Sequence, residues 1–581
     1  MSSVSGKAFD MSLFRKVMGF VKPYKMVFYT ALVLTIVLSA LGIVRPYLMG
    51  DIIDLYITTG DKNGLLQLTL IIVGILFVEG IVQFFQTYLT NWLGQSVTID
   101  LRAKLFKHII SFKLRYFDKT AIGTLVTRVI SDMETIAEIF AQGLLTIIGD
   151  LLKLILVIVV MFFINWKLAI LVLIPIPILL VATNIFKNAI KSAFQDVRTM
   201  VSRLNAFVQE HITGMYVVQV FGKEKEEQAK FQKINKEHRN AHIKSVWAYS
   251  VFFPIVEILS ALSISLLVWY GVRNVLEGEL TFGETFKFIF FINMMYRPIR
   301  QLADRFNTLQ MGMVGSDRVF KVLDTDERIA RTGDLAPERI KGDITFKGVH
   351  FAYDSKNFVL HDINMEVKSG ETVAFVGATG AGKSSVVNLL SRFYEFDQGE
   401  ITIDGQDIRE YNVDSLRKNI AVVLQDVFLF SDSILNNITL NDPSISREKV
   451  IEAAKIIGAH EMIMKFPDGY DHNVRERGGM MSTGQRQLVS FIRAYVTDPS
   501  VLVLDEATSS VDTETEEMIQ NAIERLTEGR TSIIIAHRLS TVQKADKIIV
   551  LSKGKILEQG GHFDLLEEGG HYKRLFDLQF S

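Results

Sequence analysis

Apolar residues crowd the first half of the chain in long runs, whereas the second half alternates short apolar stretches with amphipathic ones in the manner of a water-soluble protein. A helix needs about 20 residues to cross the hydrocarbon of a bilayer. Six runs meet that demand or approach it: 26–48, 65–89, 144–164, 167–186, 247–271 and 283–303, the last being the least apolar. Only Asn165 and Trp166 separate the third from the fourth. The two long connections, 94–140 and 187–246, carry apolar positions at helical spacing with few Gly or Pro breaks. This predicts that the spans continue into water as helices and reverse near 115–125 and 196–206. DTDERIARTGDLAPERIKGD, 324–343, reads as a polar linker. After it ITFKGVHFAY and TVAFVG have strand character, and strand and helix patterns alternate to the end. The predicted architecture is an all-α membrane domain over 1–323, with six spans and long cytosolic helix extensions, followed by an α/β domain over 344–581.

Charge orients this arrangement. Lys7, Arg15, Lys16, Lys22 and Lys25 precede the first run, and both long connections are rich in Lys and Arg, while 51–63, 165–166 and 274–281 hold Lys62 as their one basic residue. Basic loops stay on the cytosolic side, so both termini and the α/β domain are expected in the cytosol. The first run is too long for a cleavable signal and lacks a small-residue cleavage site, so it is expected to remain. Overall, 63 Lys plus Arg against 64 Asp plus Glu offer no electrostatic case for a nucleic-acid partner. The absence of cysteine excludes disulfides, thiolate metal sites and a cysteine nucleophile. Within the spans, Glu79 and Glu257 are candidates to face a cavity, because an ionisable group facing lipid is costly. Phe84, Phe85, Phe252, Phe253, Phe291, Met294 and Met295 offer adaptable apolar walls, and Arg297 and Arg300 either snorkel to the interface or line an inward cavity.

The soluble half holds the candidate chemistry. GATGAGKSS, 377–385, follows TVAFV and fits the pattern G-x-x-x-x-G-K-[ST] through Gly377, Gly382, Lys383 and Ser384. Glycines let backbone N–H groups converge on phosphate oxygens, and the helix that follows points its N-terminus at the same anion. Thr379, Gly380 and Ser385 complete the expected phosphate cradle, with Lys383 on the β- and γ-phosphates and Ser384 on Mg²⁺. VLVLDEATSSVD, 501–512, is a four-residue buried strand that delivers Asp505 and Glu506 to its carboxyl end. Asp505 there suits Mg²⁺ bound through water, and Glu506 suits polarising an attacking water.

With these motifs in order, almost the whole chain resembles the ATP-binding cassette exporters, in which six membrane helices are fused to one nucleotide-binding domain. RGGMMSTGQRQ, 477–487, is similar to the signature segment of that family, and IIIAHRLST carries its switch histidine as His537. Gln425 in VVLQD matches the Q-loop, Tyr353 in FAYD the adenine-stacking aromatic, and Ser510 to Asp512 the D-loop. The resemblance implies that Gln425 reaches Mg²⁺ or the attacking water, and that His537 orients Glu506 at the γ-phosphate. It also implies that Ser482, Gly484 and Gln485 meet the γ-phosphate held by a second, facing domain. Thr483 stands where that family has glycine and Met481 where it has leucine, which puts in question the site to which this chain lends its signature. The implied partner is a second half-transporter, forming a homodimer or a heterodimer. Segments 116–132 and 201–224 resemble the surroundings of the family's two coupling helices, where Arg115, Asp196 and Arg198 could pair with charges of the nucleotide domain.

The expected function is ATP-driven export of amphipathic compounds or lipids across a bacterial cytoplasmic membrane. An ATP-gated channel or an ATP-binding membrane regulator would share the architecture. A soluble cassette ATPase would not need six spans, and a peptide-processing exporter would carry an N-terminal protease, for which the segment before the first span is too short and lacks a cysteine.

Overall fold

The computed structural model describes residues 11–329, 333–354, 357–505, 513–536 and 539–579. The chain divides into two compact units, Met1–Ile110 with Ala121–Asp326, and Ser111–Thr120 with Glu327–Ser581.

The first unit is helical. Among the described residues five helical stretches are long and apolar enough to cross a membrane: Lys22–Ile57, Lys62–Ile109, Ile122–Ile164, Trp166–Thr213 and Glu224–Leu276. They contain the first five predicted spans. The sixth prediction falls on one helix, Phe282–Leu323, which is not among these five. Short polar caps make the tight reversals. The Asp61 carboxylate accepts from the N–H groups of Asn63 and Gly64, both at 3.0 Å, and Asn165 accepts from Lys167 and Leu168 at 3.0 Å. Thr281 and Glu284 form a reciprocal capping box. Each satisfies N–H groups that a helix start leaves orphaned. The Lys25–Asp51 and Phe282–Leu323 helices approach through paired glycines: a Cβ on Gly283 would stand 2.2 Å from the Gly50 carbonyl oxygen.

Several helices far exceed a bilayer. Lys62–Ile109 has 48 residues, about 70 Å at 1.5 Å per residue, so much of it must run beyond the hydrocarbon. The second reversal lies elsewhere than predicted. Ile176–Thr213 is one helix straight through 196–206, and the chain turns instead over Gly214–Lys223, with a short helix Met215–Val220 and Gly222 at φ +61°. The segment 196–206 contains no Gly or Pro to break a helix, whereas Gly214 and Gly222 flank the real turn. The returning helix, Glu224–Leu276, runs antiparallel to Ile176–Thr213 and is tied to it by His211–Glu227 at 2.7 Å, Arg203–Glu237 at 2.7 Å and Lys244–Asp196 at 2.8 Å. Asp196 is therefore engaged within its own unit.

The second unit holds two sheets. Strands β1 (Ile344–Phe351), β2 (Leu360–Val367), β4 (Gln398–Ile403) and β5 (Gln406–Asp407) form an antiparallel sheet in the order β2-β1-β4-β5. The other sheet contains β3 (Thr372–Val376), β6 (Ile420–Val423), β7 (Val501–Asp505), β8 (Thr531–Ile535), β9 (Lys547–Ser552) and β10 (Lys555–Gly560), in the order β10-β9-β3-β8-β7-β6. It is parallel from β9 to β6, and β10 pairs antiparallel at its edge. Alternate side chains feed two cores: Ala374, Val376, Leu502 and Leu504 on one face, and Val373, Phe375, Val501 and Val503 on the other. Burial on both faces explains why TVAFV and VLVL are continuous apolar runs. The later part of the predicted linker is folded into this unit: Leu335 donates its N–H to Glu410 and accepts from Asn412.

Candidate functional site

Four strand ends stand in a row along the carboxyl edge of the large sheet, in the order β3, β8, β7, β6. This is where open α/β sheets place ligands. The glycine loop follows β3, Asp505 ends β7, and Gln425 lies two residues beyond β6. β8 ends at Ile535, two residues before His537 in the chain. Glu506, Asp512 and His537 lie outside the described residues, as do the other D-loop positions from Ser510.

The loop's shape depends on its glycines. Gly377, Gly380 and Gly382 have φ of +155°, +82° and +106°. At Gly377 a Cβ would come within 2.1 Å of the Leu551 carbonyl oxygen on β9, so a side chain is excluded by space as well as by conformation. The helix Lys383–Leu390 starts directly from Gly382. Lys383 is 7% exposed, and its Nζ donates to the carbonyls of Gly377 at 2.6 Å and Ala378 at 3.2 Å, folding the ammonium back over the loop. Burial holds this ammonium below the ordinary lysine range, and the Asp505 carboxylate partly opposes the shift. A buried cation beside a glycine loop at a helix start fits a polyphosphate. Ser384, Thr379 and Gly380 are exposed at the loop. Ser385 is buried, and its hydroxyl meets the Tyr353 hydroxyl at 3.1 Å. Gln425 is exposed.

The signature segment forms a separate helix start. Ser482 caps Thr483–Val496: its Oγ accepts from Gln485 N–H at 3.2 Å, and Gln485 Oε1 accepts from Ser482 N–H at 2.9 Å. The Ser482 hydroxyl proton stays available as a donor. The Thr483 hydroxyl accepts from Arg486 at 3.3 Å, and Gly484 is buried. Met481, in the leucine position, is buried in the core. Arg475 and Arg477, just upstream, sit at φ +59° and +53°, a strained conformation for non-glycine residues that shapes the approach to this helix.

In the membrane unit a cavity of about 680 Å³ is lined by Arg45, Glu79, Asp150, Lys153, Arg297 and Arg305, with Phe290 and Met294 among its apolar walls. Glu79, Arg297 and Met294 were expected there. Asp150 and Lys153 were not, although two charges three residues apart inside an apolar run were a readable signal. Arg45 and Arg305 were also missed. Glu257 pairs instead with Arg300 at 2.6 Å, while Phe252, Phe291 and Met295 are packed in the helix core.

The family model described as the ABC transporter transmembrane region matches residues 28–299, and the one described as ABC transporter matches residues 360–509. An uncharacterized ABC transporter ATP-binding protein of Bacillus subtilis is 37% identical over 578 residues, covering 99% of this chain and 96% of that protein. An ATP-dependent lipid A-core flippase of Syntrophus aciditrophicus is 35% identical, covering 98% and 95%. A second Bacillus subtilis protein, provisionally named a multidrug export ATP-binding/permease protein, is 36% identical, covering 98% and 100%. With a helical membrane unit and a cytosolic nucleotide-binding ATPase in one polypeptide, the chain belongs to the ABC transporters, ATPases coupled to transport across a membrane.

Proposed function

We propose that the chain is one half of an exporter that moves amphipathic compounds or lipids away from the cytosolic side of a bacterial cytoplasmic membrane, with six spans and both termini in the cytosol. The observation that carries this reading is the alignment of the glycine loop, buried Lys383 and Asp505 on one sheet edge, in a chain whose membrane unit encloses a charged cavity.

Lys383 and the loop N–H groups bind the phosphates of ATP, and Tyr353 stacks on the adenine. Ser384, Gln425 and Asp505 would hold Mg²⁺, partly through water, and a bound ion would supply positive charge beside the transferred phosphoryl group. Glu506 orients the attacking water and His537 holds Glu506 in place. Ser482, Gly484 and Gln485 meet the γ-phosphate bound by the partner half, with Asp512 at the same interface. ATP thus joins two ATPase units, and hydrolysis releases them. The partner is a second copy or a homologous half, which the mass of the purified assembly distinguishes.

Four lining cations against two carboxylates give the cavity a net positive wall beside apolar side chains. This suits an amphiphile carrying an anionic group, in keeping with a relative named for lipid A-core flipping. The test is ATPase activity and vesicle uptake by the reconstituted assembly. Glu506→Gln should abolish most turnover and spare ATP binding; unchanged hydrolysis would remove Glu506 from its role.

A further inference from the structure

The cavity of about 680 Å³ in the membrane unit is lined more by amides and charges than by rings. Four helices supply those groups: Lys25–Asp51, Lys62–Ile109, Leu145–Ile164 and Phe282–Leu323. On Lys62–Ile109 the lining residues Glu79, Gln83, Gln86 and Thr90 recur every third or fourth position, and on Phe282–Leu323 Asn293, Arg297, Gln301 and Arg305 recur every fourth. Each set makes one stripe along its helix, about 16–18 Å long at 1.5 Å per residue. The rings expected as walls lie elsewhere. Phe84 and Phe85 are exposed outside this lining, and Phe252 and Phe291 are packed in the helix core.

Some of the polar groups are satisfied within the protein. Thr35 and Thr90 donate to their own helices, to the carbonyls of Ala31 at 2.8 Å and Gln86 at 2.7 Å, and the Asn293 amide donates to Ile289 at 2.9 Å. Others are not. Gln83 and Gln301 are exposed in the lining and have no hydrogen-bond partner among the described residues. Glu79 Oε2 is buried and accepts no hydrogen bond, for the Arg45 guanidinium beside it stands at 3.9 Å, beyond hydrogen-bond reach. Lys153 Nζ and Glu79 Oε1 converge on Gly42, 3.5 and 4.0 Å from where a Cβ would be. A buried acceptor left without a donor is costly, so a ligand that brings a donor to Glu79 is favoured.

These groups define the chemistry of the ligand. The excess of lining cations draws an anion. An amide offers both a donor and an acceptor, which complements a hydroxyl, itself both. With Arg45 and Lys153 beside it, Glu79 is better served by a neutral hydroxyl than by an ammonium, which the same cations repel. We propose that the cavity is the head-group site for an anionic lipid rich in hydroxyls, a phosphate carrying a sugar or other polyol. Glu79, Gln83 and Gln301 hold the hydroxyls, and the lining cations meet the phosphate. This rests on the reading of the cavity as the cargo site, and it narrows the cargo from amphiphiles in general to one class of head group.

The test uses the purified assembly in proteoliposomes with ATP and Mg²⁺, and follows the movement of tail-labelled lipids between leaflets. Phosphatidylinositol, phosphatidylglycerol and phosphatidylmethanol carry the same single negative charge, and only the last has a head without hydroxyls. The wild type should move the two hydroxylated lipids at least about tenfold faster than phosphatidylmethanol. Gln83→Leu combined with Gln301→Leu should reduce that preference below about threefold, by slowing the hydroxylated lipids. Glu79→Leu should do the same, whereas Glu79→Gln, which keeps an acceptor oxygen, should retain most of the preference. Equal rates for the three lipids would overturn the proposal while leaving export of anionic amphiphiles standing. Faster movement of phosphatidylethanolamine would overturn it too, because Glu79 would then be serving an ammonium. If a cationic amphiphile moves and no anionic lipid does, the reading of the cavity as a site for anionic cargo fails, and the head-group assignment with it. The lipid comparison on the wild type decides alone if the double variant does not fold.

Discussion

Replacing Lys383 with methionine separates the cost of burying an ammonium from its use on phosphate. Without nucleotide the variant loses two charge-assisted hydrogen bonds, to Gly377 at 2.6 Å and Ala378 at 3.2 Å. It also loses a buried charge whose pKa lies below the ordinary lysine value because desolvation penalises it. In linkage terms the folded chain binds this proton more weakly than the unfolded chain. The penalty is therefore fully present below the lowered folded value and is relieved as the pH rises through it toward the unfolded value of about 10.4. Gains and losses offset one another, so stability without ATP should change by no more than about 1 kcal/mol, or about 2–4 °C for a unit of this size. ATP binding should behave differently, because the proposed contacts of the ammonium with phosphate are charged hydrogen bonds worth about 1.5–3 kcal/mol each. Losing about 2.7 kcal/mol raises Kd about 100-fold. At an ATP concentration 100 times the wild-type Kd, nucleotide stabilises the wild type by about 2.7 kcal/mol and the variant by about 0.4 kcal/mol. Thermal unfolding of the full chain in EDTA, with and without ATP, measures both quantities. A variant that ATP stabilises as strongly as the wild type would refute the placement of Lys383 on phosphate, and a collapse without nucleotide would show that its loop contacts are chiefly structural.

Ser482→Ala removes the side-chain half of a capping box and should cost about 1 kcal/mol, measured by thermal unfolding without ATP; ATPase of the assembly should fall much further than that loss explains, since the same hydroxyl is proposed to serve the partner's γ-phosphate. His562 is buried against Tyr572 at 2.7 Å, and burial lowers its pKa. Its contribution to stability is full above the unfolded value of about 6.5 and is lost as the pH falls below that toward the folded value. His562→Gln should accordingly flatten the decline of the melting temperature between pH 7.5 and 5.5, and an unchanged slope would contradict this. In the cavity, Lys153→Glu reverses one of the lining charges. Uptake of an anionic amphiphile should fall at least about tenfold, with a cationic one spared or favoured and basal ATPase retained.

Where the fold was legible in the sequence, a local physical cause wrote it there. TVAFV and VLVL are uniformly apolar because their strands are covered on both faces, and the glycines of 377–382 mark backbone that side chains would obstruct. Asp61, Asn165 and Thr281 signal helix starts at the tight reversals. The reversal placed at 196–206 was misread because apolar spacing weakens there without any helix breaker, while Gly214 and Gly222 held the true signal. Asp150 and Lys153 were overlooked inside a run counted only for its length. A hydrogen bond from the Tyr394 hydroxyl to Asp118 joins positions 276 residues apart, and no local pattern encodes such a pairing. The loop, Asp505 and Gln425 share one sheet edge because the strand order brings them there, an order the motifs alone do not state.

The proposed export cycle depends on ATP being held between two ATPase units. The structure of the complete assembly, purified as Glu506→Gln and trapped with ATP and Mg²⁺, addresses this directly. Each terminal phosphate held on Lys383 and its loop should be met by the signature helix start of the facing half. ATP enclosed by one unit alone, with Ser482 turned to solvent, would contradict it.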